Sequence, residues 1–502
     1  MEIVLGPPGT GKTTFLLEQM EQELDRGTPP GSIGFVSFTR RAAQEARERA
    51  KAKFGLGDKD LPWVRTLHSL CFAALGLNRS VVFEGKKLTE FSNYIGQPIS
   101  TFASLEEGST FGFQTGDRCL FIDNMARVRG VPLLEQYNES NDNLPWPLVE
   151  NFSKGLVKFK AKNGYLDFTD MLARFVEQGW NQQLQVLFVD EAQDLSMLQW
   201  HVVARLAKGA RRVAVAGDDD QAIYRWAGAA VDHFIALPGQ ETVLGYSWRV
   251  PPEIQDVALR ILARVSVRRA KLWEPRKGTG VVGRVSQLED AGFDITEDTL
   301  VLGRNSCFLQ DDAIPWLNSF GYLYEYRGNS SVRHSLVEAI LNWERLRRGE
   351  EITVEQAAKI YAEMKVHHGF TWGNKKLPAW KDRDQMVTLQ DLKEAGGLLT
   401  DAVWYDALVA IKAKERIYMT AALRSGQKLT EAPKVRVSTI HGAKGAQADH
   451  VIILTDRAWR TYVEAQKASD DEARTWYVAA TRAKHRLTIV SPQRNRERSY
   501  NL

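Results

Sequence analysis

Eight residues near the start of the sequence, G-P-P-G-T-G-K-T at positions 6–13, carry its clearest chemistry. They fit G-x-x-x-x-G-K-[ST], a loop whose backbone N–H groups wrap a polyphosphate. Gly6, Gly9 and Gly11 permit the dihedrals such a wrap requires. Lys12 would reach the β- and γ-phosphates, and the Thr13 hydroxyl would complete a Mg²⁺ shell. Pro7, Pro8, Thr10 and Thr14 complete the expected nucleotide loop. An ordinary glycine-rich turn with one exposed lysine is the plain alternative. The apolar run Ile3, Val4, Leu5 before the loop and the periodic helix after it argue for phosphate, because a helix N-terminus adds unpaired donors and a positive dipole end.

Two further stretches end in acids. V-L-F-V-D-E-A-Q-D at 186–194 delivers Asp190 and Glu191 to the end of a buried strand, where open α/β sheets bind ligands. Asp190 is placed to hold Mg²⁺, directly or through water, and Glu191 to orient and deprotonate an attacking water. Alone, D-E would read as an acidic loop; beside a phosphate loop it reads as catalytic. V-A-V-A-G-D-D-D-Q-A-I-Y-R-W at 213–226 repeats the design. Gln221 could sense the γ-phosphate, while Tyr224 and Trp226 suit unstacked bases. Taken singly, such rings are more often core.

The elements that must position these groups follow from patterning. With 502 residues, 44% hydrophobic and 25% charged, the chain can build several cores. Strands are predicted at 31–38, 63–66, 185–189 and 212–216, and then at 281–285, 299–302, 322–326, 435–440, 451–454 and 487–490. Between them, 76–178 and 331–433 read as mainly helical. Cys71, Cys119 and Cys307 are scattered, which argues against a disulfide framework, a zinc site or an iron–sulfur cluster. No apolar run reaches membrane-spanning length. With the loop starting at residue 6, no signal peptide is expected. A net charge of +4 permits a polyanion partner without demanding one.

D-E-A-Q-D followed by G-D-D-D-Q-A-I-Y-R-W-A-G-A resembles the UvrD/Rep branch of superfamily 1 DNA helicases (superfamily 1A). Further family motifs are matched in order: F-T-R-R-A-A at 38–43, T-L-H-S at 66–69, L-G-Y-S-W-R at 244–249, V-L-G-R-N at 301–305, V-S-T-I-H-G-A-K-G at 437–445 and Y-V-A-A-T-R-A at 477–483. The resemblance implies an α/β fold with two RecA-like P-loop NTPase cores, each interrupted by a mainly helical insertion. Core 1A would comprise 1–75 and 179–240, insertion 1B 76–178, core 2A 241–330 and 434–502, and a reduced insertion 2B 331–433.

By position, Arg249 and Arg482 match the arginines that reach the γ-phosphate from the second core, so that hydrolysis would follow closure of the cleft between cores. Trp248 replaces the tyrosine that stacks on adenine. Phe38, Thr39, Thr66, His68, Tyr224, Trp226, Thr439 and His441 match residues lining the single-strand path, joined by Arg304 and Asn305. Gln447 stands where the family has a ribose-binding glutamate. No glutamine motif is expected ahead of the loop to read the adenine edge. The resemblance thus implies an ATP- and Mg²⁺-dependent DNA helicase moving 3′→5′ on single-stranded DNA, acting at single-strand/duplex junctions in the cytoplasm of a bacterial or phage-infected cell. No membrane is involved, and the protein that loads it is unidentified. The alternatives are a translocase that displaces bound proteins with little unwinding, or a DNA-binding module with weak ATPase.

Overall fold

The computed structural model describes residues 1–37, 40–100, 114–140, 142–180 and 182–502, with backbone alone at 40–42. It divides into two compact units, Met1–Gly280 with Val463–Arg482, and Val281–Tyr462 with Ala483–Leu502.

The first unit is built on six strands: β1 (Glu2–Leu5), β2 (Ile33–Ser37), β3 (Val64–Thr66), β4 (Val186–Asp190), β5 (Arg212–Gly217) and β6 (Gln240–Val243). Their order is β3-β2-β4-β5-β1-β6, and every pairing is parallel. Pleating sends alternate residues to opposite faces. Val4, Phe35 and Phe188 join Leu16, Leu17 and Met20 of the helix Lys12–Asp25 on one face. Ile3, Leu5, Val36, Leu187 and Val189 pack with Trp200, Leu206 and Phe234 on the other. Both faces are covered, as an all-parallel sheet requires. Register aligns Ser37 with Asp190 and Leu5 with Gly217, so the phosphate loop and both acidic turns leave the sheet at one edge.

β6 has no counterpart among the predicted strands. All four of its residues are exposed at the sheet edge, so it carries no apolar pattern, and pairing with β1 alone makes it a strand. The expected 240/241 boundary falls inside it. Residues 244–280 and 463–482, expected in the second core, group with the first unit. Asp470, for instance, accepts from the N–H groups of Ser266 and Val267 at 3.0 Å each. The helical segment between β3 and β4 has a core of its own, centred on Phe83, Phe91, Phe152, Leu156 and Phe159.

The second unit carries seven strands in one sheet: β7 (Val281–Val285), β8 (Thr299–Gly303), β9 (Tyr324–Tyr326), β10 (Asn329–Ser330), β13 (Val435–Thr439), β14 (Ala448–Leu454) and β15 (Ala483–Val490). A two-stranded ribbon, β11 (Ile352–Thr353) with β12 (Met386–Val387), lies in its helical segment. The main order is β10-β9-β13-β8-β14-β15-β7, parallel except for the β9/β10 hairpin. Here the helical segment shares the core of the sheet: Trp343, Ile360 and Tyr361 belong to one cluster with Val301, Val437 and Ile452. Among the described residues no helix is long and apolar enough to cross a membrane.

Candidate nucleotide and nucleic-acid site

The phosphate loop has the geometry its glycines require. Gly11, at φ 80°, begins the helix Lys12–Asp25 with no side-chain cap, so the first helical N–H groups face an incoming anion. Gly9 lies at φ 75°, and a Cβ on it would stand 2.5 Å from Arg249 Cβ. A Cβ on Gly6 would overlap Lys12, whose Nζ folds back to the Gly6 carbonyl at 2.7 Å. Residues 247–249 are stitched to the loop. Ser247 Oγ donates to Pro8 O at 2.8 Å, and the Trp248 N–H to Gly9 O at 2.9 Å. Trp248 itself is 75% exposed, its ring edge-on to Tyr246.

The acids sit beside this loop. Thr13 Oγ1 donates to Asp190 Oδ2 at 2.8 Å. Burial, reinforced by Glu191, pushes the Asp190 carboxyl up to about 7. Glu191 holds a left-handed backbone, φ 52°, a conformation that costs a non-glycine residue about 1–3 kcal/mol. Gln193, fully buried, ties the two acidic turns together: its Nε2 donates to Glu191 Oε2, and its Oε1 accepts from the Asp218 N–H at 3.0 Å. Asp218 in turn accepts from Gln221 Nε2 at 2.6 Å, and Gln221 Oε1 accepts from Arg482 at 2.8 Å. A continuous relay therefore runs from Glu191 to Arg482 within one unit.

Sequence reasoning left Gln193 unassigned and missed the cations that make this relay possible. Asp218, Asp219 and Asp220 are each at most 1% exposed, and three adjacent carboxylates cannot stay charged there alone. Lys271 Nζ reaches Asp218 at 3.2 Å, Asp220 at 3.0 Å and also Asp219, while Arg268 forks onto Asp220. Burial opposes charge on Lys271, but the three carboxylates hold its ammonium well above the usual range. Burial likewise opposes charge on Asp218, yet Lys271 and Lys12 keep it below the usual range. Arg268 and Lys271 lie together in R-R-A-K at 268–271, but nothing local in that stretch says which carboxylates they will meet.

Arg249 and Arg482 form the cationic side. Burial, with Arg482 adding repulsion, pulls the Arg249 guanidinium down to about 9. Arg249 NH1 donates to Thr481 O at 3.3 Å, and its buried Nε has no hydrogen-bond partner among the described residues. Burial also lowers Arg482, with Glu191 opposing. A cradle that a Cβ would fill, a half-buried lysine, an orphaned guanidinium nitrogen and a hydroxyl–carboxylate pair suit a polyphosphate with a magnesium ion, which binds few protein oxygens and keeps waters. No cluster of three His, Cys, Asp or Glu suited to a metal occurs among the described residues.

Thr66, His68, Tyr224 and Trp226 line one groove of about 1170 Å³ in the first unit. Tyr224 and Trp226 stand 6.5 Å apart at 59°, and Trp226 is 40% exposed. Thr66 caps the helix Leu67–Ala74 by accepting from Ser69 N. The His68 ring meets Phe168 edge-on at 5.8 Å. Phe168 begins a helix whose cap, Asp167, is tied to Arg127 at 2.9 Å and Lys160 at 2.5 Å. Burial opposes charge on Asp167, but the two cations hold it well below the usual range. Phe38 and Thr39 lie outside the described residues.

In the second unit Arg304, Asn305, Thr439 and His441 follow the adjacent ends of β8 and β13, paired through Gly303 and Thr439. The Asn305 amide is engaged at both ends, by Ala458 N at 2.9 Å and Thr461 Oγ1 at 2.8 Å. Gln447 is exposed at the opposite edge, just before β14, its carbonyl accepting from Arg436. The structure does not bring it to the edge that holds the other four.

Residues 2–240 match the UvrD/REP helicase N-terminal domain, and residues 405–494 the UvrD-like helicase C-terminal domain. Among curated proteins, the chain is similar to the ATP-dependent DNA helicase PcrA of Bacillus subtilis, at 24% identity over 61% of this chain and 45% of that protein. It is also similar to DNA helicase II of Haemophilus influenzae, at 27% identity over 66% and 47%. PcrA of Staphylococcus epidermidis matches at 23% over 55% and 40%. The chain thus spans less than half the length of these relatives. Both domain models fall in family order on a chain of two parallel α/β sheets, the first with its motif residues gathered at one edge; the chain belongs to the UvrD/Rep-type helicases of superfamily 1.

Proposed function

We propose that the chain is an ATP-driven DNA motor, a helicase that tracks 3′→5′ along single-stranded DNA and separates duplex. The observation carrying this reading is the relay Glu191–Gln193–Asp218–Gln221–Arg482 beside the phosphate loop, with Arg249 half-buried and its Nε short of a partner among the described residues. In this reading the loop N–H groups and Lys12 hold the β- and γ-phosphates. Mg²⁺, held by Thr13 and Asp190, would neutralise phosphate charge. Glu191 accepts a proton from the attacking water, its carboxylate aimed by Gln193. Arg249 and Arg482 face the charge that builds on the transferred group, a role worth about 10³–10⁵ in rate where arginine fingers act. Trp248 offers its exposed face to the base. Gln221, bonded both to Asp218 and to Arg482, would be the first to feel a γ-phosphate.

The groove bearing Trp226 and Tyr224 would take unstacked bases, and Arg304, Asn305, Thr439 and His441 would add contacts on the second unit. Residues 76–178 and 331–433 are taken as the helical insertions of the two cores. ATP hydrolysis with and without single-stranded DNA tests the motor: strong stimulation is expected, and DNA-independent turnover would overturn it. Duplexes with 3′ or 5′ tails test direction; unwinding of only the 5′-tailed substrate would reverse it.

A further inference from the structure

Resting on the reading of this chain as a DNA motor, we infer that the loop around Trp372 in the second unit is a separate contact for single-stranded DNA, stacking a base on the indole and holding phosphates with the lysines beside it. Trp372 is 81% exposed, whereas Trp343 and Trp404 of the same helical segment are buried. A single exposed ring is ordinary on a surface; this one is set apart by the loop that presents it.

This loop is built. Only four non-glycine residues have positive φ among the described residues: Glu191, Arg327, His367 and Leu377. Arg327 lies in the β9/β10 hairpin turn and Glu191 is the candidate base; the other two bracket Trp372, at 63° and 48°. Such conformations persist only where the surroundings enforce them. Here Phe370 and Leu377 anchor the loop in the core, and Phe370 stacks on Tyr361 at 5.1 Å. Thr371 N donates to Gly397 O, Leu399 N to Gly369 O, and His367 N to Phe370 O, at 2.8–2.9 Å. A Cβ on Gly369 would meet Met364 at 2.6 Å.

The charge around the ring selects the occupant. Residues 365–383 contain Lys365, Lys375, Lys376, Lys381 and Arg383 against the single acid Asp382, a local +4 that equals the net charge of the whole chain. All five cations are exposed, and none is in an ion pair among the described residues. A protein-binding hot spot would set its aromatic anchor in an apolar surround. Trp372 instead lies in a stretch of chain rich in cations, where the exposed apolar residues are Val366 at 39% and, hydrogen-bonded to the loop, Leu399 at 51%. One flat π-face among spaced cations matches a polyanion with stackable bases.

The test is anisotropy of fluorescein-labelled dT20 with the full chain across a salt series, comparing wild type, Trp372→Ala and the pair Lys375→Gln/Lys376→Gln. Trp372→Ala should weaken binding about 5- to 150-fold, the range for losing one stacked base. The lysine pair should flatten the slope of log K against log salt by about 1.4, at ~0.7 per phosphate released from a single strand. DNA-free ATP hydrolysis should stay unchanged in all variants, which certifies folding. Wild-type binding of dT20 that both variants match would overturn the inference and leave the motor reading standing. Failure of wild type to bind dT20 would sink that reading as well. Poly-glutamate that competes with dT20 on wild type but does not bind Trp372→Ala would give the patch to an acidic protein and overturn the inference.

Discussion

Each unit is organised on a parallel sheet, yet the two sheets treat the polar groups at their carboxyl edges in opposite ways. At the first edge, Asp190 and the triplet 218–220 are buried, the triplet against Lys271 and Arg268 from a distant segment, and Arg249 still has a donor to spare. At the second, buried Asp456 is satisfied by the chain's own backbone, accepting from Gln493 N at 3.0 Å and Arg494 N at 3.1 Å, and Thr455 donates to Val490 O. A nucleotide site therefore needs more than strand ends on a parallel sheet. It needs donors and cations whose own fold leaves them short of a partner. The helical segments differ in the same spirit: the first keeps its own core, and the second shares the core of its sheet.

The largest effect should come from the unbalanced edge. Lys12→Ala or Glu191→Gln should cut ATP turnover by at least ~10²-fold while DNA binding persists. Asp456→Asn, at the self-satisfied edge, should leave turnover within about twofold and lower Tm instead. Phosphate release at saturating nucleotide separates the two, and near-normal turnover in Glu191→Gln would break the contrast.

Next is the countercharge. Lys271→Met leaves buried carboxylates underbalanced and should cost about 3–5 kcal/mol of stability. Arg345→Ala, which removes the exposed pair with Glu350, should cost at most ~0.5 kcal/mol. Thermal unfolding of both variants measures the difference, and equal Tm values would mean that burial of the triplet is not what makes Lys271 matter.

Trp226→Ala should weaken single-strand affinity by about 1–3 kcal/mol, the worth of one stacked base. Unchanged oligonucleotide binding would return that ring to a packing role.

The last contrast is a pH slope confined to the second unit, small near neutral pH and growing only as the medium turns acid. Burial, aided by Arg486, pulls His450 down to about 3; its ring bonds Thr488 and Arg486, and Arg486 also engages the nearby Glu297. The unfolded chain binds a proton below ~6.5 that the folded one refuses, so this stability is complete above 6.5 and drains as pH falls toward 3. The loss should approach ~1.4 kcal/mol per pH unit. Denaturation midpoints against pH should show this slope in wild type and lose it in His450→Gln.

Much of this site is legible in the primary structure because its parts are contiguous. The glycine spacing at 6–13, the apolar run into Asp190 and Glu191, and that into Asp218 each encode strand, turn and functional group within about ten residues. Local sterics and pleat periodicity suffice to read them. Gln193 and Lys271 were invisible for the opposite reason. Each matters through a partner 25 to 53 residues away, and nothing in an isolated A-Q-D or R-A-K says which carboxylate it will meet. β6 was invisible because an exposed edge strand has no hydrophobic signature.

The sequence by itself thus determined the two α/β units, the phosphate loop and the identities of the acids and arginines, since these rest on short-range pattern and residue chemistry. Only the tertiary structure decided that Arg249 and Arg482 join the phosphate loop in one unit, that a buried lysine reaches all three aspartates of the triplet, and that Gln447 lies at the far edge of its sheet. Those outcomes depend on which segments pack together, and packing is set by the whole chain at once.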